Sequence, residues 1–148
     1  LFFAAQTLGF RHSHLDTGAY SWDQKHDTKD VDGGVEFLMT DEPGRVFLTS
    51  MVACLFARSA YNDEQLGACL EAAGYEDLAG SMSETAEYIR KLRWKVRIDS
   101  GFKPEEIVIP KRFHSVKTWK GKIDSAYLDA LKSEYGKRIL ALVEDFKP

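Results

Sequence analysis

The sequence is poor in cysteine and has no long hydrophobic run. Its two cysteines, Cys54 and Cys69, match no standard metal-site spacing and are too few for the disulfide framework of a small secreted domain. No apolar stretch approaches the roughly 20 residues that a membrane-spanning helix needs. The apolar start of the chain has neither a basic segment before it nor a clear cleavage site, which argues against a signal peptide. We therefore expect reduced thiols and a cytoplasmic protein.

Common catalytic and nucleic-acid signatures are also absent. The sequence has no Gly-rich phosphate loop, no HExxH zinc motif and no Ser-His-Asp order. Its net charge of -3 argues against sequence-independent binding to nucleic acid, which needs a basic face. A length of 148 residues fits one domain. We expect residues 1–148 to form a single helical domain, and because the chain opens with Leu1 inside an apolar segment we expect it to be a fragment of a larger protein.

Helix signals dominate what the sequence does contain. Polar composition predicts loops over residues 10–34 and 111–122, and residues 106–110 predict an extended segment that ends at Pro110. With no convincing alternating strand, the expected fold class is all-α, a multihelical bundle with a long histidine-bearing loop near the N-terminus. Capping residues and glycines bound the predicted helices, which cover residues 1–9, Asp41 to about Tyr61, Asn62 to Gly74, Ser81 to Gly101, and Asp124 onward with an interruption at Gly136.

Two of these helices have informative patterns. The helix from Asp41 to Tyr61 carries apolar groups on most sides, which predicts a central helix that is buried all round. The helix after Ser81 opens with a capping box, because Glu84 follows the serine by three residues. A spacing of three and four predicts one apolar face on this second helix, made of Met82, Ala86, Ile89, either Leu92 or Arg93, and Val96.

Residues 11–26 hold three of the four histidines together with carboxylates and cations. A core helix would not carry so many polar groups, so the segment is interpreted as a loop that lines a site. His12 and His14 fall on one side of an extended chain. With His26 and Asp16 they are candidate zinc ligands, although the spacing fits no standard pattern. Surface or structural roles, and proton transfer near neutral pH, are open to the same imidazoles.

The basic segment 111–122 has two interpretations. Lys111, Arg112, Lys117 and Lys120 surround Trp119, a composition compatible with contact to an anion or a nucleic acid. The negative total charge and the lack of a nucleic-acid-reading motif favour a solvated or interdomain loop.

The two thiols are interpreted first as small buried hydrophobes. Cys54 lies in an apolar run, and Cys69 shares a predicted core face with Leu66 and Leu70. A four-iron cluster usually needs four thiolates, so two cysteines cannot hold one alone. One of them can supply a ligand to a cluster that is held mainly by another segment.

Three segments, taken in order, resemble one known family. Met51–Ala57 leads into a Leu/Ala helix that ends at Gly74, Ala86–Trp94 is followed by Ser100-Gly-Phe102, and Ile109–Phe113 is similar to a Leu-Pro-x-Arg-Phe segment. In this order they resemble the C-terminal part of the aldehyde:ferredoxin oxidoreductases. Members of that family are tungsten enzymes with a bis-molybdopterin cofactor and a nearby 4Fe-4S cluster.

The resemblance implies an enzyme that oxidises an aldehyde to a carboxylate with ferredoxin as electron acceptor, although relatives act on a thioester-activated aromatic ring. It implies tungsten or molybdenum bis-molybdopterin and a 4Fe-4S cluster in the full-length parent, and none in the isolated chain. The implied partners are the N-terminal domains of the parent, ferredoxin and a small aldehyde, with no nucleic acid and no membrane. The alternatives are a non-catalytic helical interaction module and a small metal-binding protein that uses the three clustered histidines.

The resemblance also implies roles for single residues. Cys54 falls where the family places the cluster thiolate supplied by its C-terminal domain. His14 is similar to the family's histidine near the metal, which is proposed to handle protons, and is therefore the expected catalytic residue. Asp16 stands two residues later, where the family often has a basic residue that contacts the pterin.

The segment before Cys54 resembles the family's Asp-x-x-Gly-Leu-Cys motif, with changes. Thr49 replaces the Asp that bonds a pterin, and its hydroxyl still donates or accepts a hydrogen bond. Val52 replaces the Gly, so the backbone is not expected to approach the pterin as closely there. Ala53 replaces the Leu. By resemblance, Asp16, Thr49 and Ala53 are the expected cofactor-binding residues and Cys54 the expected metal ligand.

Overall fold

The computed structural model describes residues 1–10, 16–26 and 29–148, and over these ranges the chain is predominantly helical, which confirms the all-α class. His12 and His14 lie outside the described residues, so the histidine-bearing loop stays a prediction. Within the described ranges, no helix is long and apolar enough to cross a membrane. The elements are α1 (Phe2–Leu8), α2 (Ala19–Lys25), α3 (Val31–Ser50), a 3-10 helix (Leu55–Ala60), α4 (Asp63–Ala72), α5 (Glu76–Gly80), α6 (Met82–Asp99), a 3-10 turn (Pro104–Glu106), α7 (Lys111–His114), β1 (Lys117–Thr118), β2 (Gly121–Lys122) and α8 (Ser125–Val143).

The centre of the fold is α3, which packs against α6 and α8, while α1 packs on α8. Each fully buried Leu, Ile or Val side chain there contributes about 1.5–3 kcal/mol relative to an exposed one. The largest fully buried side chains of this main core are Trp94, Leu8, Leu38, Leu131, Ile139 and Val35. A smaller cluster joins the C-terminal end of α3 to α4 and the start of α6, through Phe47, Leu48, Leu55, Leu66, Leu70 and Ala86.

The start of α3 differs from the prediction. Asp41 does not begin a helix; α3 begins at Val31, capped by Asp30, whose carboxylate accepts a 2.9 Å hydrogen bond from the Gly33 amide. Pro43 lies inside the helix, where it removes one main-chain donor. Asp41 instead accepts a 2.6 Å hydrogen bond from the amide of Gly18, just before α2.

The end of α3 also differs. The helix stops at Ser50, about eleven residues before the predicted end at Tyr61. Val52 adopts a left-handed conformation (φ 59°), its amide donates to Thr49, and the next amide, of Ala53, donates to Leu48. This Schellman motif ends the helix.

The region beyond this end is not buried all round, contrary to the prediction. The exposed fractions are 92% for Val52 and 75% for Phe56, and Cys54 is exposed as well. Cys69 is also exposed, whereas Leu66 and Leu70 of the same helix are buried in the smaller cluster.

The predicted ends of α4 and α6 are confirmed. Asn62 caps α4 through the Gln65 amide, and α4 and α6 both terminate in Schellman motifs with left-handed glycines, Gly74 (φ 84°) and Gly101 (φ 95°). The predicted capping box at the start of α6 is wrong. The Ser81 hydroxyl donates to the Asp77 carbonyl and does not accept a hydrogen bond from a main-chain amide of α6.

The buried face of α6 is rotated from the predicted one. It consists of Ala86, Arg90 and Trp94, while Val96 is 57% exposed. The reason lies on the facing helix, where a buried carboxylate of α3 draws an arginine and a tryptophan inward.

The last helix confirms its predicted cap but not its predicted break. Asp124 accepts a 3.1 Å hydrogen bond from the Tyr127 amide, and α8 then runs without interruption to Val143. Gly136 lies buried in its middle, where an added Cβ would come within 2.9 Å of the Pro104 Cβ. The glycine therefore allows the 3-10 turn after α6 to approach the helix closely.

The two predicted loops contain regular structure. Residues 10–34 include α2 and the start of α3, and residues 111–122 include α7 and an antiparallel β1–β2 hairpin. Tertiary contacts stabilise α2, whose Trp22 packs on Phe37 of α3 at a ring distance of 4.8 Å. Residues 107–110 are irregular, in agreement with the predicted extended segment.

Candidate functional site

A buried polar cluster lies between α3 and α6. Glu42 of α3 is 7% exposed, and the indole nitrogen of Trp94 donates to both of its carboxylate oxygens at 3.0 Å. Arg90 approaches the same carboxylate with its Nη1 at 3.9 Å. Burial raises the pKa of Glu42, and the Trp94 hydrogen bond and the charge of Arg90 oppose that rise.

The guanidinium of Arg90 joins three groups around this carboxylate. Its Nη1 donates to the Met39 carbonyl and its Nη2 to Glu87, both at 2.6 Å. Its Nε is buried and has no hydrogen-bond partner among the described residues. The cluster therefore has short hydrogen bonds but leaves one buried donor, the Arg90 Nε, without an acceptor among the described residues. Such an unsatisfied donor lowers the stability of the fold.

Tyr135 and Arg97 extend the cluster toward α8 and α1. Tyr135 is buried, and burial followed by the charge of Glu42 raises the pKa of its phenol well above the ordinary value. Arg97 donates to the carbonyls of Leu8 and Gly9 at 2.9 Å. Burial lowers the pKa of Arg97.

The described residues on either side of residues 11–15 lie at this cluster. Phe10 sits under the guanidinium of Arg93 at 4.1 Å and edge-on to Trp94 at 6.0 Å. The charge of Asp16 acts on both Glu42 and Tyr135. The expected catalytic residue His14 lies outside the described residues, and its role stays a prediction.

The other expected site residues lie at the C-terminal end of α3 and in the turn after it. Thr49 is half-buried in the last helical turn, and its carbonyl accepts from Val52. Ala53 is half-buried, with its amide committed to the Leu48 carbonyl at 2.9 Å, so this amide is not available to a ligand. Cys54 is exposed and occupies the N-cap position of the following 3-10 helix, where its side chain makes no capping hydrogen bond.

Val52 has a left-handed backbone conformation at the position where the resemblance expects a glycine. Its φ of 59° lies in the left-handed region, which costs an L-residue about 1–2 kcal/mol. The backbone thus follows the path that a glycine favours, while the isopropyl group projects outward, 92% exposed.

The charge of Asp16 acts on Glu42, which precedes Thr49 by seven residues on α3. The role of Asp16 at the cofactor stays a prediction.

The zinc alternative finds no support in the described residues. His26 is exposed and stacks on Trp22 at a ring distance of 3.8 Å, with its Nδ1 3.0 Å from the Trp22 carbonyl. Among residues 1–10, 16–26 and 29–148, no three His, Cys, Asp or Glu side chains come together as a metal site.

The described residues fit one ligand of an iron–sulfur cluster. Cys54 offers an exposed thiol without a disulfide partner. Cys69 is the second free thiol, but it lies on a different helix. Since a four-iron cluster usually takes four thiolates, such a cluster would need its other ligands from a different segment of polypeptide.

A comparison with protein families identifies the family of the chain. The family described as aldehyde ferredoxin oxidoreductase, domains 2 and 3, matches residues 2–138. The chain belongs to this family. No curated protein and no solved structure matched it. The aldehyde ferredoxin oxidoreductase match runs from α1 into α8, so it includes both the buried cluster and the Cys54 turn.

The sequence patterns did not identify the residues of the buried polar cluster in this aldehyde ferredoxin oxidoreductase domain. Glu42, Arg90 and Tyr135 were not singled out, and Trp94 was noted only within a motif. One signal was present, since Ala86, Arg90 and Trp94 repeat every four residues. An arginine in such a stripe indicates a buried anionic partner, but the sequence does not say which carboxylate it is.

Proposed function

We propose that the chain forms the C-terminal part of a tungsten- or molybdenum-pterin oxidoreductase that oxidises an aldehyde to a carboxylate and passes the electrons to ferredoxin. The observation that carries the proposal is the family match over residues 2–138. The exposed thiol of Cys54, at the position where the resemblance expects a cluster ligand, supports it.

The overall reaction turns an aldehyde and water into a carboxylic acid, two protons and two electrons, and the acid then ionises at neutral pH. When bound, the metal–pterin group and the cluster supply the redox chemistry. The chain itself contributes a cluster ligand, contacts to the cofactor and a group that moves a proton.

Cys54 is the proposed cluster ligand. Its exposure lets the thiolate reach a cluster whose other ligands lie on the N-terminal part of the parent, the first of the proposed partners. Val52 and Phe56 flank it with exposed apolar side chains, which exclude water from such a contact once they are covered. The hydrophobic surroundings of a cluster are one of the features that set its reduction potential.

Thr49, Ala53 and Asp16 are the proposed pterin contacts, and they differ in what they offer. The Thr49 hydroxyl can donate or accept a hydrogen bond. Ala53 offers only its methyl group and carbonyl, because its amide is bonded within the turn. Asp16 offers a carboxylate, whose charge acts on the buried cluster at Glu42.

His14 is the proposed group that accepts and releases a proton. An imidazole titrates near neutral pH, and a general acid–base residue typically contributes about 10²–10⁴-fold to the rate. In the full-length protein, His14→Ala is expected to lower kcat by a factor in that range and to leave metal and iron contents intact. Full activity in His14→Ala would refute this assignment.

The chain offers a matched pair of variants to test the cluster ligand. Cys54→Ala and Cys69→Ala each remove one exposed, unpaired thiol at a small cost in volume. In the full-length protein, Cys54→Ala is expected to lose cluster iron and the electron paramagnetic resonance signal of the reduced cluster. Cys69→Ala is expected to keep both. Equal iron contents in the two variants would contradict the proposal, whereas circular dichroism checks that both remain folded.

A further inference from the structure

The most basic segment of the chain is free of acidic residues. Residues 107–123 contain five Lys and Arg and no Asp or Glu, in a chain whose net charge is -3. The segment forms α7 and the β1–β2 hairpin. The five cations are Lys111, Arg112, Lys117, Lys120 and Lys122.

Four of these cations form no ion pair with the described residues, and Arg112 lies over the ring of Phe113 at 5.6 Å. Lys111, Arg112, Lys117 and Lys122 are exposed and make no ion pair with any described residue. Lys117 and Lys122 even face each other across the hairpin as a registered pair, an arrangement of like charges that weakens strand pairing. The charges therefore do not serve the stability of the hairpin.

The fifth cation fastens the hairpin to the body of the protein. The Lys120 ammonium donates to the Asp23 carbonyl at 2.7 Å and to the His26 carbonyl at 3.2 Å, at the end of α2. The Thr118 hydroxyl accepts from the Lys120 amide and donates to the Gly121 carbonyl, which fixes the tight turn. The exposed cations of the hairpin are thus held on an element that is bonded to the end of α2.

The turn presents a large aromatic side chain to solvent. Trp119 is 81% exposed at the tip of the hairpin, and Val108 nearby in the sequence is 80% exposed. Tryptophan and arginine are the side chains most enriched at the centres of protein–protein interfaces. The exposed indole of Trp119, with the Lys120 ammonium 5.1 Å from its ring centroid and further exposed cations on the same segment, matches that composition.

We propose that this surface, made of Lys111, Arg112, Lys117, Trp119 and Lys122, docks a carboxylate-rich surface of another protein. Charge complementarity selects the partner's chemistry, and Trp119 supplies an apolar anchor. A nucleic acid fits less well, since the patch is small and the chain as a whole is negatively charged.

The surface is distinct from the Cys54 turn. Lys29 pairs with Asp124 at 2.5 Å, and the Tyr127 hydroxyl donates to the Asp30 carbonyl, so the hairpin end of the molecule adjoins the start of α3. Cys54 follows the other end of this 20-residue helix, about 30 Å away. The inference therefore does not depend on the proposed redox function.

The test uses poly-L-glutamate as a probe of carboxylate-rich polypeptide, with duplex DNA and phosphatidylserine vesicles as competing probes. Binding is measured at low ionic strength, where screening is weak. Arg112→Glu/Lys122→Glu reverses two charges of the patch, and Lys137→Glu/Lys147→Glu makes the same charge change on exposed residues elsewhere. We expect the unmodified chain to bind poly-L-glutamate and the patch variant to bind roughly tenfold more weakly than the control variant.

The remaining outcomes overturn the proposal. No binding of poly-L-glutamate, or equal losses in the two variants, would mean that the patch does not recognise carboxylates specifically. Tighter binding of DNA or of the vesicles would assign the patch to a different class of partner. Lys122→Glu places an opposite charge across the hairpin from Lys117, so the patch variant is expected to stay folded. Circular dichroism checks this.

Discussion

Arg90 of α6 donates a 2.6 Å hydrogen bond to the main-chain carbonyl of Met39 in α3. Met39 precedes Pro43 by four residues, and the proline has no N–H with which to complete the helical bond. The guanidinium therefore satisfies the acceptor that the proline leaves open. This contact explains how α3 continues through a residue that is usually found in the first turn of a helix.

The first prediction is a coupling between these two positions. At a pH above the folded pKa of Glu42, Arg90→Met is expected to destabilise the chain by about 3–5 kcal/mol, since it leaves the ionised Glu42 buried without its cation. In a Pro43→Ala background the restored amide can bond Met39, so the loss is expected to be about 1 kcal/mol smaller. Urea denaturation of the two single variants and the double variant measures the coupling. Strictly additive losses would contradict it.

The second prediction concerns pH. Burial raises the pKa of Glu42 above its unfolded value, so the folded chain keeps a proton that the unfolded chain releases. The stabilisation from this proton is complete below the unfolded pKa and is lost as the pH rises through the folded pKa. Relative to Glu42→Gln, the unmodified chain should therefore lose stability as the pH rises from about 4.5.

The measurement is the free energy of unfolding in urea against pH for both chains. Glu105→Gln, at an exposed glutamate, serves as the control. Its free energy of unfolding is expected to change with pH in the same way as that of the unmodified chain. Parallel curves for Glu42→Gln as well would show that the Glu42 carboxyl keeps its unfolded pKa in the fold.

The third prediction tests the strain at the end of α3. Val52→Gly is expected to stabilise the chain by about 0.5–1 kcal/mol, because the relief of left-handed strain exceeds the added entropy of the unfolded chain. Gly101→Val places a valine at the same position of another Schellman motif and is expected to cost about 1–2 kcal/mol. Thermal unfolding of the two variants should shift in opposite directions. Destabilisation by Val52→Gly would show that the Val52 side chain packs within the chain.

The fourth prediction contrasts two glycines inside helices. Gly136→Ala brings a methyl group against Pro104 at 2.9 Å and is expected to cost about 1–3 kcal/mol through overpacking. Gly67→Ala meets nothing closer than the end of Met82 at 3.7 Å and is expected to gain about 0.5–1 kcal/mol from helix propensity. Equal effects would mean that α8 and the 3-10 turn at Pro104 separate easily.

The candidate site was only partly accessible from sequence. The resemblance assigns Thr49, Ala53 and Cys54 to the site, and the structure places these three at the C-terminal end of α3 and in the turn after it. Their roles, and that of Asp16, stay predictions. The hydrophobic pattern around Cys54 could not predict its exposure, because an apolar segment has the same composition whether it packs within its own chain or forms an interface with another surface.

Local chemistry by itself determined several features of this protein. The side chains of Asn62 and Asp124 start helices, and Gly74 and Gly101 end them, because caps and left-handed glycines act over a few residues of chain. Only the tertiary structure decided the path of α3 and the buried face of α6. The helix passes Pro43 because Arg90 arrives from another element, and Arg90 and Trp94 turn inward because Glu42 is buried opposite them. These choices depend on partners some fifty positions away in the chain, and no local periodicity contains that information.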